Sequence, residues 1–359
     1  MNNYKISTAA VPTTTASAGI DQDGTDYSYF AQVKLGSNGT VMNMLLDTGA
    51  GTSWVMGHDC KSAPCKTHNN FGATDSTTFK SEAVTFELHY GSGNVSGTMA
   101  TDTLAIAGFT LKPTFGIATV ASDDFKNFPI DGILGLAQSK GPHTTFVESL
   151  VASKLLAANL FGVSISRSSD GPNTGVINFG TPDTTRFVGD IAYTHVNGSD
   201  RDDWAIPMED ISFDGKKAGI QFKLAYVDTG TSYIFSKKEE VKRLHDAIPG
   251  ATSEDSITWR VPCTTTLPLQ LTFGANTYSI DARDWVGPNV KGNCTSNIYG
   301  HDVVGDAWLL GDTFLKNVYA VFDIDGNRIG MLTCSLPLLE VQLTSAKDLP
   351  PDLLLPYQP

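Results

Sequence analysis

The feature of this sequence with the clearest chemical meaning is an Asp-Thr-Gly triplet that occurs twice. One copy begins at Asp47 and the other at Asp228, 181 residues later, and a pair of apolar residues precedes each. Composition predicts about 0.1 such triplets in a chain of this size. One copy alone is typical of a strand that ends in a polar turn, whereas two copies in the same context indicate an internal repeat.

A second apolar motif repeats at a similar distance from each triplet. Ile-Leu-Gly ends at Gly135, 88 residues after Asp47, and Leu-Leu-Gly ends at Gly311, 83 residues after Asp228. The matching order and spacing predict that each half of the chain builds the same local structure around its aspartate.

Two buried carboxyl groups a few ångströms apart are suited to acid–base catalysis. They cannot both ionise, so they share one proton at mildly acid pH. The ionised partner can take a proton from a water molecule while the protonated partner donates to a carbonyl oxygen. Gly49 and Gly230 allow a tight turn beside a substrate, and the threonine hydroxyls can satisfy buried polar groups between the halves. Asp47 and Asp228 are therefore the candidate catalytic pair, and the chemistry needs no metal or cofactor.

Composition and charge argue against several other classes of protein. The chain has 359 residues, 38 acidic and 25 basic side chains, and a net charge of -13. We expect no nucleic-acid partner, because this field would repel phosphates. With 41% hydrophobic residues the chain can bury a sizeable core, yet no apolar run approaches the ~18 residues of a membrane span. The N-terminus lacks the apolar region of a secretory signal.

The order of strand and turn signals predicts an all-β protein. Residues 29–35, 84–90 and 319–324 alternate between apolar and polar side chains, and Gly36-Ser-Asn-Gly39 is a hairpin signal. Helical spacing occurs only at 145–155 and 237–248. The Ser, Gly and Pro-rich segment 166–190 is the best candidate for a boundary between two lobes.

The cysteines and sequons bear on the compartment. The cysteines show no zinc spacing and are Cys60, Cys65, Cys263, Cys294 and Cys334. The first two can close a small loop and the next two a larger one, which leaves the last unpaired; five reduced thiols are the alternative. Four sequons favour a secretory route, and their candidate glycan acceptors are Asn38, Asn94, Asn197 and Asn293.

Taken together, the motifs resemble those of the pepsin-like aspartic peptidases, most closely the secreted fungal members. The resemblance covers about residues 27–333, in the family's order, and rests on the segments 47–55, 90–93, 131–136, 228–232, 308–312 and 321–330. It implies a bilobal fold with pseudo-twofold symmetry and a long active-site cleft between the lobes. It also implies an endopeptidase that cleaves extended polypeptides at acid pH, acts as a monomer and is inhibited by pepstatin-type inhibitors.

The resemblance also assigns roles to individual residues. Tyr90, Gly91 and Ser92 match the tip of a flap that closes over substrate, and Trp54 matches the residue that supports the flap tyrosine. Thr231 matches the residue that bonds the second aspartate. Leu45, Ile130 and Ile133 match the pocket beside the scissile bond, which implies a preference for large apolar residues there. Read alone, Tyr90 to Gly93 is an ordinary hairpin turn, and the others could be plain core. The family's first and last disulfides are matched by Cys60 with Cys65 and by Cys263 with Cys294.

One departure from the family pattern bears directly on the dyad. Ala50 stands where most members carry Ser after the first Asp-Thr-Gly, so Asp47 lacks a hydroxyl hydrogen bond to its charged form. Such a loss raises a carboxyl pKa. The acid limb of the pH–rate profile is therefore expected to lie higher than in an Ala50→Ser variant.

The resemblance also divides the chain. We expect an N-terminal extension or prosegment remnant over 1–20, lobes over 21–188 and 189–334, and a Pro and Leu-rich tail over 335–359. Like Cys334, the tail has no place in the family pattern. The location expected is extracellular, with an acidic vacuole as the alternative. A glycan on Asn94, directly after the flap tip, would crowd the substrate entrance.

Two other functions compete with this interpretation. A binding protein of the same fold that has lost catalysis would show damage in a triplet or in the flap, and both are intact here. An enzyme with another mechanism would need a different motif, and the sequence contains no Gly-x-Ser-x-Gly elbow, His-Glu-x-x-His helix or P-loop lysine.

Overall fold

The computed structural model describes residues 5–91, 93–138, 143–197, 203–290 and 292–334, without the side chains of Val290 and Asn293. Three predictions therefore fall outside the described residues. They concern the flap residue Ser92, the tail over 335–359 and the side chain of the Asn293 sequon.

In the first half of the chain, the described residues form one α-helix, α1 (Phe146–Ser153), and thirteen strands. The strands are β1 (Ser17–Gly19), β2 (Asp21–Gln22), β3 (Tyr29–Leu35), β4 (Thr40–Asp47), β5 (Trp54–Met56), β6 (Lys80–Tyr90), β7 (Gly93–Thr101), β8 (Leu104–Ile106), β9 (Phe109–Leu111), β10 (Thr114–Ala121), β11 (Gly132–Gly135), β12 (Leu160–Ser164) and β13 (Val176–Phe179).

The described part of the second half forms three α-helices, α2 (Lys238–Asp246), α3 (Ala282–Trp285) and α4 (Asp312–Leu315), and fifteen strands. These strands are β14 (Ala192–His195), β15 (Ala205–Met208), β16 (Asp210–Phe213), β17 (Lys216–Lys217), β18 (Lys223–Val227), β19 (Ile234–Ser236), β20 (Arg260–Val261), β21 (Leu269–Phe273), β22 (Asn276–Ile280), β23 (Val286–Val290), β24 (Asn293–Ser296), β25 (Ile298–Gly300), β26 (Ala307–Leu310), β27 (Val318–Asp323) and β28 (Arg328–Thr333). The predicted all-β class is confirmed.

The hairpin of β3 and β4 shows how the sequence builds these elements. Buried and exposed side chains alternate along the later part of β3, so Val33 and Leu35 face the core while Lys34 faces solvent. Gly36 and Gly39 in the connecting turn have φ of 71° and 67°, a conformation that glycine adopts without strain. The turn fixes the register, which ends with Phe30 opposite Leu45.

The strands group by the half of the chain from which they come, with one exception. A ten-stranded sheet contains β2 to β11, and β15 to β26 form sheets of five, four and three strands. The exception is a six-stranded sheet with the order β1-β13-β12-β27-β28-β14, to which both halves contribute three strands. This shared sheet joins the halves through β12 and β27, where Phe161 pairs with Phe322.

The helix and terminus predictions can be compared with the structure directly. The predicted helices at 145–155 and 237–248 are present as α1 and α2. Thr145 and Glu148 cap α1 reciprocally, as a Thr-x-x-Glu sequence favours. Residues 5–20 belong to the folded body, because β1 pairs with β13 and Ser7 forms a bridge with Gln22. The lobe boundary at 188/189 stays a prediction.

Candidate active site

Each Asp-Thr-Gly triplet follows a strand that is held in the same frame of three strands. In the first half, β4 pairs in parallel with β11, which places Gly135 beside Asp47, and β5 pairs antiparallel with β11. In the second half, β18 pairs in parallel with β26, which places Leu310 beside Val227, and β19 pairs antiparallel with β26. The apolar echoes found in the sequence are therefore the strands that support the two aspartates.

The threonines of the two triplets bond across the junction of the halves. The Thr48 hydroxyl donates to Val227 O at 2.8 Å and accepts from the Thr229 amide at 3.0 Å. The Thr229 hydroxyl mirrors this, since it donates to Leu46 O at 2.7 Å and accepts from the Thr48 amide at 3.1 Å. Both threonines are buried. Each loop thus satisfies the polar groups of the other, as the sequence predicted.

The two aspartates form one hydrogen-bonded unit. Their exposures are 6% for Asp47 and 8% for Asp228. The Gly49 amide donates to Asp47 Oδ1 at 2.9 Å and to Asp228 Oδ1 at 3.1 Å, and the Gly230 amide donates to Asp228 Oδ1 at 2.8 Å. A methyl group added to Gly230 would overlap the Asp47 carboxyl, and one added to Gly49 would lie 2.9 Å from Asp228 Cγ. Backbone of each loop therefore touches the carboxyl group of the other.

This surrounding sets the proton distribution of the pair. Burial raises the pKa of Asp47 well above its usual range, and the charge of Asp228 and a hydrogen bond between the two carboxyl groups raise it further. The amides of Gly49 and Ala50 lower it by a smaller amount. The pair is therefore expected to hold one proton, because burial and the charge of Asp228 favour the neutral form of Asp47.

The third residue after each aspartate breaks the symmetry. The Thr231 hydroxyl donates to Asp228 Oδ2 at 2.6 Å. The equivalent position in the first loop is Ala50, which has no hydroxyl to donate. A charge-assisted bond of this kind stabilises an ionised carboxylate, and of the two loops only the second supplies one from this position.

The predicted flap residues lie on a hairpin next to the dyad. The last residue of β6, Tyr90, pairs with the first residue of β7, Gly93. Gly91, in the turn between these strands, is exposed. Trp54 Nε1 donates to the Tyr90 hydroxyl at 2.9 Å. Burial and the nearby charge of Asp47 raise the pKa of Tyr90. The tyrosine of this hairpin is therefore held near Asp47 by the indole of Trp54.

The predicted pocket residues are partly brought together. Leu45 and Ile133 belong to one apolar cluster with Trp54 and Tyr90, whereas Ile130 is buried and lies outside that cluster. The same cluster contains Phe125, which the sequence analysis did not identify. Its ring packs edge-on against Trp54 and Tyr90, with centroids 5.2 and 6.2 Å apart. Phe125 comes from a short polar segment without a repeat partner, so the sequence carried no signal for it.

The disulfide predictions are confirmed. Cys60 is bonded to Cys65 and Cys263 to Cys294, and Cys334 is free. The first disulfide lies in the apolar cluster that contains Trp54.

The sequons differ in their surroundings. Asn38 is exposed in the hairpin turn and Asn197 is exposed after β14, while Asn94 is half-buried in β7. The backbone of Asn94 bonds Ser122 through its N–H to Oγ at 3.1 Å and its carbonyl to N–H at 2.9 Å. Asn38 and Asn197 are thus more accessible candidate acceptors than Asn94.

The described residues contain neither a helix suited to span a membrane nor a group of side chains suited to hold a metal ion. None of the helices there is long and apolar enough to cross a membrane. No group of three or more His, Cys, Asp or Glu side chains in the described ranges could hold a metal ion.

Comparison with known proteins agrees with the geometry. Residues 28–334 match the family model for eukaryotic aspartyl proteases. The chain is 43% identical over 350 residues to the aspartic-type endopeptidase ctsD of Aspergillus fumigatus, covering 96% of this chain and 74% of the relative. It is 42% identical to a probable aspartic-type endopeptidase CTSD of Trichophyton verrucosum, covering 92% of this chain and 65% of that protein.

A vertebrate enzyme is also similar. Pepsin A of Suncus murinus is 29% identical over 346 residues, which cover 92% of this chain and 88% of pepsin A. The sequence matches and the geometry of the site agree. The chain belongs to the eukaryotic aspartyl protease family, the family of pepsin, and is an aspartic-type endopeptidase.

Proposed function

We propose that this protein hydrolyses peptide bonds in extended polypeptides at acid pH, with Asp47 and Asp228 as its catalytic pair. The observation that carries the proposal is the Gly49 amide, which donates to one oxygen of each carboxyl group and so holds both in one unit. A carboxyl pair that shares a proton can supply a base and an acid at the same time.

The proton distribution assigns the two roles. With the pair holding one proton, Asp228, whose Oδ2 accepts the Thr231 hydroxyl, takes a proton from a water molecule, and the hydroxide adds to the carbonyl carbon of the peptide bond. Asp47 gives its proton to the carbonyl oxygen, which produces a tetrahedral diol. The C–N bond then breaks as Asp228 protonates the amide nitrogen and a diol hydroxyl returns its proton to Asp47. The products are a carboxylic acid and an amine, and the dyad regains its starting state.

The flap and the apolar cluster support the substrate preference. Gly49, whose amide bonds both carboxyl groups, and Gly91 in the flap turn are both exposed. We infer that an extended peptide lies in a cleft between the two halves at these glycines and that the flap closes over it. Leu45, Ile133 and Phe125 then offer apolar surface beside the scissile bond, which favours large apolar residues in that position.

The disulfides and the sequons support a proposal for the compartment. Two disulfides are typical of proteins that fold in an oxidising environment. We infer that the protein follows the secretory route and acts outside the cell as a monomer, with an acidic vacuole as the alternative. Asn38 is the sequon at which we expect a glycan, since its turn is exposed.

A hydrolysis assay on unfolded globin, with and without pepstatin, tests the function. We expect cleavage at acid pH that pepstatin abolishes, and cleavage sites flanked by large apolar residues. Pepstatin binding without cleavage would instead indicate a binding protein that has lost catalysis. Cleavage that pepstatin does not affect would contradict the dyad.

A further inference from the structure

Trp204 is a buried residue of the second half that is linked by hydrogen bonds to both Asp-Thr-Gly loops, directly to one strand and through Leu136 to the other. It directly precedes β15 and is 2% exposed. It lies in no motif that the repeat or the family resemblance singles out. Its hydrogen bonds nevertheless connect it to the backbone at the start of both Asp-Thr-Gly loops.

The indole of Trp204 reaches into the first half. Its Nε1 donates to Leu136 O at 2.9 Å, and both groups are buried. The amide of Leu136 in turn donates to Asp47 O at 2.8 Å. A single residue, Leu136, therefore links the indole to the backbone of Asp47.

The backbone of Trp204 reaches the second loop. Its carbonyl accepts from the amide of Val227 at 2.9 Å, and Val227 directly precedes Asp228. The carbonyl of Val227 is also the acceptor of the Thr48 hydroxyl. Trp204 is thus bonded to the strand of Asp228 through its main chain, and its side chain is linked to Asp47 through Leu136.

The shared sheet holds the indole in place. Phe161 and Phe322 stack on each other with centroids 4.8 Å apart. Both rings pack edge-on against Trp204, at 6.0 and 5.1 Å. Phe161 belongs to β12 of the first half and Phe322 to β27 of the second, so the indole rests on the place where the halves meet.

We propose that Trp204 is a positioning residue that sets the separation of the two carboxyl groups. The inference rests on the proposed function of Asp47 and Asp228. Thr48 and Thr229 join the two loops at their tips, and Trp204 joins the strands behind them. Loss of the indole N–H frees Leu136 O and lets the strand of Asp47 move relative to that of Asp228. The sharing of the proton depends on that separation.

A looser pair has a recognisable pH dependence. When the two carboxyl groups lie close together, the pair loses its first proton at lower pH and its second proton at higher pH. The pH range in which the pair holds one proton is then wider. A larger separation brings the two limbs of the pH profile together. A residue that only supports the fold would lower stability without moving either limb.

The test is Trp204→Phe, with Trp285→Phe as matched control. Trp285 is also fully buried, donates Nε1 to a backbone carbonyl, Leu267 O at 3.2 Å, and accepts the amide of Asn297 on its own carbonyl. A second variant, Phe161→Leu, removes a ring under Trp204 and keeps the indole N–H. The pH profile of kcat/KM and the kcat at the optimum are measured for all four proteins on one peptide substrate.

For Trp204→Phe we expect kcat to fall about 10-fold to 100-fold through misplacement of the dyad. We also expect its pH profile to narrow by about one pH unit. Trp285→Phe and Phe161→Leu should keep the width of the wild-type profile. Equal widths for Trp204→Phe and wild type would overturn the inference and leave the proposed function intact, whereas an inactive wild type would contradict the proposed function itself.

Trp204→Phe could fail to fold, so the wild type supplies a second measurement. Amide hydrogen exchange at Leu136 and Val227 is followed with and without pepstatin. The inference predicts slow exchange at both amides and a common further slowing when pepstatin occupies the dyad. Fast exchange at either amide, or a response of only one, would overturn it.

Discussion

The two Asp-Thr-Gly loops have the same backbone frame and different electrostatics. Both follow a strand bonded to an Ile/Leu-Leu-Gly partner, and their threonines exchange equivalent hydrogen bonds. Only the second loop supplies a hydroxyl, from Thr231, to its aspartate. The repeat therefore fixes where the two carboxyl groups lie, and one side chain three residues downstream makes their hydrogen bonding unequal.

Crowding each aspartate from the opposite loop should have the largest effect. In Gly230→Ala the new methyl group overlaps the Asp47 carboxyl, and in Gly49→Ala it approaches Asp228 less closely. We expect kcat/KM to fall by about 100-fold or more in Gly230→Ala, because small displacements of reacting groups are costly. Gly49→Ala should lose less. Gly72→Ala, where the nearest atom to the new methyl group lies at an ordinary contact distance of 3.5 Å, is the control. Near-normal activity of Gly230→Ala would contradict the site geometry.

Removing the threonine hydroxyls tests the symmetric part of the comparison. Thr48→Val leaves Val227 O and the Thr229 amide unpaired, and Thr229→Val leaves Leu46 O and the Thr48 amide unpaired. Each should lower the free energy of unfolding by about 1–3 kcal/mol, the usual cost of unsatisfied buried groups. Denaturant titration measures this, with the exposed Thr272→Val as control. If the two variants lost markedly different amounts of unfolding free energy, the hydrogen bonds that the two threonines exchange would not be equivalent.

Exchanging the third residues tests the asymmetric part. In Ala50→Ser a hydroxyl can donate to the Asp47 carboxylate, which lowers its pKa and moves the alkaline limb of kcat/KM to lower pH. In Thr231→Ala the charged Asp228 loses its donor, so the acid limb should move to higher pH. Each shift is expected to be about one pH unit, the equivalent of one charge-assisted hydrogen bond. Unchanged limbs in both variants would refute the assignment.

This expectation refines the one drawn from the sequence. There the missing hydroxyl at Ala50 was expected to raise the acid limb. Burial and the charge of Asp228 raise the pKa of Asp47, so loss of the Asp47 proton contributes to the alkaline limb. The larger part of the Ala50→Ser shift is therefore expected on the alkaline limb.

The flap, which belongs to the first half alone, gives the smallest effect. Tyr90→Phe keeps the ring next to Phe125 and loses the bond from Trp54 Nε1. We expect kcat/KM to fall about 2-fold to 10-fold, the value of one hydrogen bond. Tyr193→Phe, whose ring packs under Arg328, is the control. A loss no larger than that of the control would remove the flap role of this hydroxyl.

The sequence predicted those parts of the molecule that repeat or alternate. Strand β3 occupies the predicted residues 29–35. The repeated Ile-Leu-Gly and Leu-Leu-Gly motifs belong to the strands beside the aspartates. Periodicity reports which side chains are buried, and a repeat reports which segments are equivalent. Neither reports contacts between residues distant in sequence and unique in kind.

Phe125 and Trp204 show what was missed for that reason. Phe125 joins the apolar cluster of Trp54 and Tyr90 from the short 3₁₀ helix Asp123–Asn127. Trp204 bonds Leu136, which lies 68 positions away in the sequence. Their roles depend on how the two halves fold against each other, which local pattern does not encode. The six-stranded sheet shared by both halves was missed likewise, since each of its strands alone resembles any other.

The central claim, that Asp47 and Asp228 act as one catalytic pair, is tested most directly by exchanging each for Asn. Turnover of unfolded globin at acid pH is compared for wild type, Asp47→Asn and Asp228→Asn, with folding checked by thermal unfolding. The account predicts that each folded variant loses about a thousandfold or more in kcat, because the acid or the base is gone. Turnover close to that of the wild type in either variant would contradict it.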